Sequence, residues 1–252
     1  MDFLEKMYRL SHRRAKGLAP PAGYPFPVRP FKTALKDMAV IAEVKYATPK
    51  DGMLGVSDDP ATIAKEYERL GARAISCLTE PEYFAGSLEY ISAIRSGCSL
   101  PIMMKDFIVD ERQIMAGRAL GADAFLLITE MLSIEELKVL YACGKDFSMD
   151  CLVEVHGLSG LEKALNLGAD IIGVNSRDLK TLQVDPMRHE ELAVHIPDGV
   201  IKVAESGITS GRRLMELKRV GYDAALIGRA LANEALREEI FHVGQDLRHN
   251  QA

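Results

Sequence analysis

Five charged residues stand at the ends of short apolar runs: Glu43 and Lys45 after Val40, Lys105 after Ile102, Glu154 after Leu152 and Glu205 after Ile201. An ionised group at the end of an apolar strand is costly unless it is paired or used. Period-two alternation puts Glu43 and Lys45 on one face of their strand. For any one of them, a salt bridge closing the end of a sheet is as good a reading as catalysis. Five groups aimed at one rim point to a functional site rather than to a set of separate salt bridges. A second constellation is Glu205-Ser206-Gly207-Ile208-Thr209 together with Leu226-Ile227-Gly228-Arg229. Small residues between a strand and a helix let backbone N–H groups approach an anion, helped by the positive helix N-terminus. Each glycine alone reads as a tight turn; the pair predicts a phosphate site.

The elements that must position these groups show as a repeat. Leu70-Gly71-Ala72-Arg73, Leu120-Gly121-Ala122-Asp123, Leu167-Gly168-Ala169-Asp170 and Val220-Gly221-Tyr222-Asp223 recur roughly 50 residues apart. Each follows a helix-like stretch and precedes an apolar run, which fits glycine in a left-handed helix cap. The runs that follow read as strands: Ala74–Leu78, Ala124–Ile128, Ile171–Asn175 and Ala224–Gly228. Between them lie Val40–Lys45, Ile102–Lys105, Leu152–Glu154 and Ile201–Glu205. Eight Val/Ile/Leu-rich runs alternating with helices mean a parallel sheet buried on both faces, and in this length they fit a closed (β/α)8 TIM barrel. An open doubly wound sheet is the alternative, weakened because no G-x-G-x-x-G follows the first strand. The division expected is an N-terminal arm over 1–38 and a barrel catalytic domain over 39–252. Within the arm, Phe3–Lys16 fits an amphipathic helix, and Pro20, Pro21, Pro25, Pro27 and Pro30 force an extended connection. It is read as packed on the barrel or capping one end.

Composition bounds the partners. With 252 residues, 48% hydrophobic, and a net charge of −5, the chain suits one domain with its own core and argues against nucleic-acid or membrane-surface binding. An anionic ligand therefore needs a local basic pocket. No window approaches the ~18 apolar residues of a membrane span, and Met1-Asp2-Phe3-Leu4-Glu5-Lys6 has no apolar signal core. Cys77, Cys98, Cys143 and Cys151 have no CxxC spacing and read as small hydrophobes of a reduced, cytoplasmic protein.

At this level of detail the chain resembles the indole-3-glycerol phosphate synthase family. The resemblance rests on Ile41-Ala42-Glu43-Val44-Lys45, Leu78 to Ser87, Pro101 to Ile108, Leu152-Val153-Glu154-Val155-His156, Gly173 to Leu179 and Val203 to Ile208, six blocks in the family's order between about Phe31 and Leu231. It implies a TIM barrel that converts 1-(2-carboxyphenylamino)-1-deoxyribulose 5-phosphate, a small phosphorylated substrate, into indole-3-glycerol phosphate, carbon dioxide and water with no metal or organic cofactor. The chemistry agrees: a ring carbon pushed by its own aniline nitrogen attacks the ketone, so the needs are a proton donor, stabilisation of a cation and a base. The resemblance assigns Lys105 as general acid at the ketone oxygen and Glu154 to the iminium-like intermediate and proton transfer. Lys45 is assigned to the substrate carboxylate and a share of the acid role in dehydration, Glu43 and Asn175 to orientation, and Glu205 to holding the constellation together. Arg177, Ser206, Gly207, Gly228 and Arg229 would hold phosphate; Phe84, Phe107, Leu126 and Leu179 would enclose the aromatic ring, with core packing an equal reading for Leu126.

The chain departs from the family after Lys45, where Tyr46-Ala47-Thr48-Pro49-Lys50-Asp51-Gly52 replaces a Ser-Pro-Ser loop, and Thr48 is expected to supply a hydroxyl to phosphate. The arm before Phe31 is short and proline-rich for the family, and Leu231-Ala232 replaces a commoner Leu-Met. His189-Glu190-Glu191 starts like a zinc motif but Ala193 stands where the second ligand belongs. His156, two residues beyond Glu154, reads as a supporting or solvated histidine. Lys45 and Lys105 near one ligand should depress each other's pKa while the glutamates oppose this. Two rivals stay open: another phosphate-binding barrel of the phosphoribosylanthranilate type, which would be expected to use a cysteine–aspartate pair, and a non-catalytic relative. The oligomeric state is open as well.

Overall fold

The computed structural model describes residues 2–179 and 181–249; Met1, Lys180 and 250–252, which bound or interrupt the expected 1–38 and 39–252 division, lie outside the described residues. Eight parallel strands close into a barrel: β1 (Ala39–Val44), β2 (Ala74–Leu78), β3 (Ile102–Lys105), β4 (Ala124–Ile128), β5 (Asp150–Val155), β6 (Ile171–Asn175), β7 (Ile201–Glu205) and β8 (Ala224–Ile227), with β8 pairing back to β1. Closure leaves no free edge and rules out the open sheet. Lys45 and Gly228 fall one residue past their strands, while β5 runs longer than its apolar signal at both ends.

Local chemistry sets the helix limits. Asp59 caps the helix Pro60–Leu70 by accepting from Ala61 N and Thr62 N, and Ser133 with Glu136 forms a reciprocal cap on the helix Ile134–Asp146. The four repeat glycines all take left-handed φ, 100° at Gly71, 102° at Gly121, 73° at Gly168 and 98° at Gly221. A Cβ there would clash with the local backbone, which is why the punctuation recurs at each helix end.

The core has two layers. Residues facing outward from the strands, such as Ile75, Phe125, Leu127 and Ile172, pack against the helices. Ile41, Met103, Leu126, Leu152, Val203 and Leu226 fill the barrel interior, joined there by Leu4, Met7, Phe31 and Leu35 of the arm. The arm thus reaches both ends of the barrel. Helix α1 (Phe3–Lys16) lies on the C-terminal rim, with Phe3 edge-on to Tyr83 at 5.3 Å and to Phe107 at 5.9 Å, and Arg14 forked onto Asp106 at 2.7 and 3.1 Å. The proline-rich stretch then descends the wall, where Phe26 O accepts from Arg118 and Arg29 N donates to Asp123. The short α2 (Phe31–Ala34) closes the bottom, with Phe31 and Leu35 fully buried and Lys32 N donating to Asp150 at 2.8 Å. Burying each of those side chains stabilises by about 1.5–3 kcal/mol.

Among the described residues no helix is long and apolar enough to cross a membrane.

Candidate active site

The C-terminal rim collects the charged strand ends. Glu205 ends β7, level with Asn175 of β6 and Leu226 of β8 in the parallel register. Glu154 of β5 is level with Ile128 and with Gly173, and Lys105 with Leu78. Lys105 Nζ donates to Glu154 Oε2 at 3.1 Å and to Glu205 Oε2 at 2.9 Å. Asn175 Nδ2 donates to Glu154 Oε1 at 3.0 Å, while its Oδ1 accepts from Arg177 N at 2.9 Å. On the other side of the rim Lys45 is paired with Glu43.

All three carboxylates are buried, and two of their oxygens, Glu43 Oε2 and Glu205 Oε1, make no hydrogen bond. Burial favours the neutral form of each ionisable group, and only neighbouring charge opposes it. For Glu154, burial would push the carboxyl up, but Lys105, His156 and Asn175 together outweigh it and hold the group well below the usual carboxylate range. Glu205 goes the other way: burial raises it, and the charge of Glu154 adds to that against the pull of Lys105. For Lys105 burial lowers, yet Glu154, Glu205 and Glu43 overcome it and the ammonium is held above its ordinary value. Between the two opposed effects expected on this lysine, the glutamates win.

Two lobes meet at these residues. The larger, about 650 Å3, runs from Glu43, Lys45, Lys105 and Asn175 to Arg177, Ser206–Thr209, Gly228 and Arg229. Ser206 and Gly207 both take left-handed φ, 63° and 68°, so the chain turns sharply as it leaves β7. The Arg177 guanidinium is lowered, by burial first and by the nearby positive charge of Arg229 second, so two guanidinium groups stand close together at this end. The smaller lobe, about 100 Å3, is an apolar slot between Leu78, Phe84, Phe107, Leu126, Ile128 and Leu179, floored by Lys105 and Glu154. Phe84 and Phe107 are tilted toward each other at 6.2 Å.

The predicted residues are therefore brought together with one exception. Thr48 lies in a small hairpin, Ala47–Thr48 with Gly52–Met53, and its hydroxyl is engaged with Asp51: it donates to Oδ2 at 3.0 Å and accepts from Asp51 N at 2.9 Å. It does not line the cleft. Arg229, besides flanking it, sits 3.2 Å from Asp51.

Sequence reasoning missed several groups. Glu80 is buried, caps Pro81–Phe84 by accepting from Glu82, Tyr83 and Phe84 N, and so seats Phe84 in the slot. Its position before a proline was a readable capping signal. Asp106 ties Thr79, Phe107 N and Arg14 together beside Lys105. A side chain at Gly173 would overlap the Glu205 carboxylate, and one at Gly228 the Glu43–Lys45 pair. Glycine inside a strand is a sign of such close approach. His156, read from the sequence as a supporting or solvated histidine, places Nε2 3.2 Å from Glu154 Oε1. Among the described residues no group of three or more His, Cys, Asp or Glu side chains is arranged to hold a metal ion.

The family model described as indole-3-glycerol phosphate synthase matches residues 7–242. A protein of that name from Acetivibrio thermocellus is 48% identical over 201 residues, 79% of this chain and 77% of its own length. One from Campylobacter jejuni is 44% identical, over 82% of this chain and 80% of its own, and one from Kineococcus radiotolerans 43%, over 81% and 74%. Among solved structures, thiamine phosphate pyrophosphorylase from Pyrococcus furiosus superposes with a TM-score of 0.63 at 16% identity, covering 86% of this chain and 99% of that one, a likeness of fold alone.

Proposed function

This chain belongs to the indole-3-glycerol phosphate synthase family, and from that premise we propose how its rim residues divide the work. The reaction is the decarboxylating, dehydrating ring closure of 1-(2-carboxyphenylamino)-1-deoxyribulose 5-phosphate to indole-3-glycerol phosphate, a carbon–carbon lyase step of tryptophan biosynthesis. The aniline ring enters the slot of Phe84, Phe107, Leu126 and Leu179, and the phosphate lies against Arg177, Ser206-Gly207 and Gly228-Arg229. This places the ketone over Lys105.

As the ring carbon attacks, the ketone oxygen gains alkoxide character and becomes far more basic than the ammonium, so Lys105 donates its proton. Glu154, kept ionised, stabilises the cationic intermediate from which carbon dioxide leaves, and then takes the proton whose loss restores aromaticity. Lys45 holds the substrate carboxylate and shares the acid role as hydroxyl departs as water. Glu43 and Asn175 orient these groups, and Glu205 fixes Lys105. Thr48 is left out, because its hydroxyl is spent on Asp51. A cytoplasmic location fits four buried, unpaired cysteines.

The observation that carries the reading is Lys105, held between two buried carboxylates at the floor of an apolar slot that opens onto a basic end. Purified protein given the substrate should form an indole chromophore and release carbon dioxide without added metal or nucleotide. Tight binding with no turnover would favour a non-catalytic barrel instead.

A further inference from the structure

His156 is left over by this mechanism, yet its surroundings are unusually well built. The ring is 9% exposed and lies between two carboxylates: Nδ1 is 2.9 Å from Glu130 Oε2 and Nε2 3.2 Å from Glu154 Oε1, the latter without the alignment of a hydrogen bond. Glu130 also accepts from His156 N at 2.9 Å, so the ring and its partner are fixed to each other. A side chain at position 160 would overlap the Glu130 carboxylate, and Gly160 leaves that room. Lys163 donates to Thr129 O and Leu132 O, pinning the loop that carries Glu130. Beyond this pair lies a separate cavity of about 660 Å3 beneath α1, bordered by Tyr8, Glu130, Glu136, His156, Ser159 and Lys163. The line Lys105–Glu154–His156–Glu130 therefore runs from the slot floor, sideways through the wall, to solvent.

The reaction needs such a route. The substrate's carboxylate is anionic and leaves as neutral carbon dioxide, so each turnover consumes a proton. One proton goes to the ketone oxygen and one to the departing hydroxyl; aromatisation returns only one, to Glu154. Glu154 can hand that one to Lys105, 3.1 Å away, and a second must come from water. While product covers Lys45 and Lys105, the mouth of the cleft is filled.

We propose that His156 and Glu130 form a lateral proton relay that supplies Glu154, and through it Lys105, with the proton consumed in each cycle. Water protonates Glu130, and Glu130 passes that proton to His156 Nδ1; the imidazolium so formed gives Nε2–H to Glu154 Oε1, and the neutral ring, left with Nδ1–H, regains its Nε2–H form by reorienting between cycles, so no charge is left behind. The ring is suited to this: burial would lower it, but Glu130, Glu154 and the more distant Glu205 overcome that and hold it above its ordinary value. His156 acts through Glu154 and does not touch substrate.

The inference rests on the proposed function, and the test separates the two. Steady-state kinetics are measured on wild type, His156→Ala and His156→Gln, each with and without imidazole in the buffer. Glutamine keeps an N–H near Glu154 but cannot pass a proton on. The relay predicts that both variants lose about tenfold in kcat, less than the 10²–10⁴ of a group acting directly, with KM within about twofold. It also predicts that imidazole, entering from the cavity beneath α1, restores much of the rate to His156→Ala. A glutamine variant at the wild-type rate, or an alanine variant that is unimpaired or that imidazole cannot rescue, would overturn the relay and leave the enzyme reading standing. If the alanine variant does not fold, His156→Gln decides alone. A wild type without turnover would overturn the function instead.

Discussion

The two ends of this barrel treat buried charge in opposite ways. At the bottom, Asp123 is 1% exposed and fully subscribed: its carboxylate accepts from Arg95 at 2.9 Å, from Arg29 N and from Ile102 N. Asp150 and Asp223 similarly accept from Lys32 N and Lys202 N. These carboxylates follow or neighbour the repeated glycine caps, and they fasten arm and strands together. At the top, Glu43, Glu154 and Glu205 share Lys45 and Lys105, and two carboxylate oxygens there have no donor. A buried unsatisfied polar atom costs about 1–3 kcal/mol. The bottom rim is assembled for stability, whereas the top rim retains an excess of carboxylate that stability alone would remove. That asymmetry is what separates a fastening from a site.

The comparison can be broken at either end. Lys105→Met keeps the apolar stem but removes proton and charge; kcat should fall by about 10³, within the range of a general acid, while circular dichroism reports an intact barrel. Asp123→Asn should do the reverse: stripping the buried Arg95 of its counter-ion should cost about 3–5 kcal/mol in urea unfolding, with kcat within about twofold of wild type. Glu154→Gln should lower kcat by about 10² while product affinity stays nearly constant, because only charge and proton transfer distinguish the two side chains. Arg177→Gln should act on the phosphate end alone, raising KM by about tenfold with little change in kcat, as loss of one charge-assisted contact would. An Asp123 variant that loses turnover without losing stability would erase the distinction between the two rims.

Much of this was legible from the chain. Strands betray themselves by short apolar runs, and five are bounded to the residue: Ala74–Leu78, Ala124–Ile128 and Ile171–Asn175, each shortly after a glycine cap, and Ile102–Lys105 and Ile201–Glu205, each ending on a charge. Lys105, Glu154 and Glu205 were visible because ionised groups are rare at such positions. What stayed hidden depends on contacts that no local pattern encodes. Thr48 has the right hydroxyl, but only the hairpin reveals that Asp51 uses it. Asp106 looks like one more charge after Lys105 until α1 brings Arg14 onto it across 92 residues of sequence. The arm was expected to pack on the barrel or to cap one end; its helix and the segment after its prolines attach to different ends. The pKa direction of Lys105 followed from three carboxylates drawn from three strands, a count that only closure of the barrel could supply.

The top rim keeps its carboxylates for chemistry at the expense of stability, and the cost is plainest at Glu205. Its folded-state carboxyl is raised, chiefly by burial, so the native state favours the protonated form more than the unfolded chain does. That stabilisation is complete below the unfolded value of about 4.3 and is lost as pH rises toward the folded value. Glu205→Gln is neutral at every pH and is spared that loss. The decisive measurement is the unfolding free energy of wild type and Glu205→Gln across pH 5 to 8. The glutamine variant should be at least as stable as wild type at neutral pH, with a margin that grows as pH rises, although it turns over more slowly. A variant several kcal/mol less stable than wild type throughout, as expected for breaking a buried ion pair, would contradict it and make Glu205–Lys105 a fastening like Arg95–Asp123.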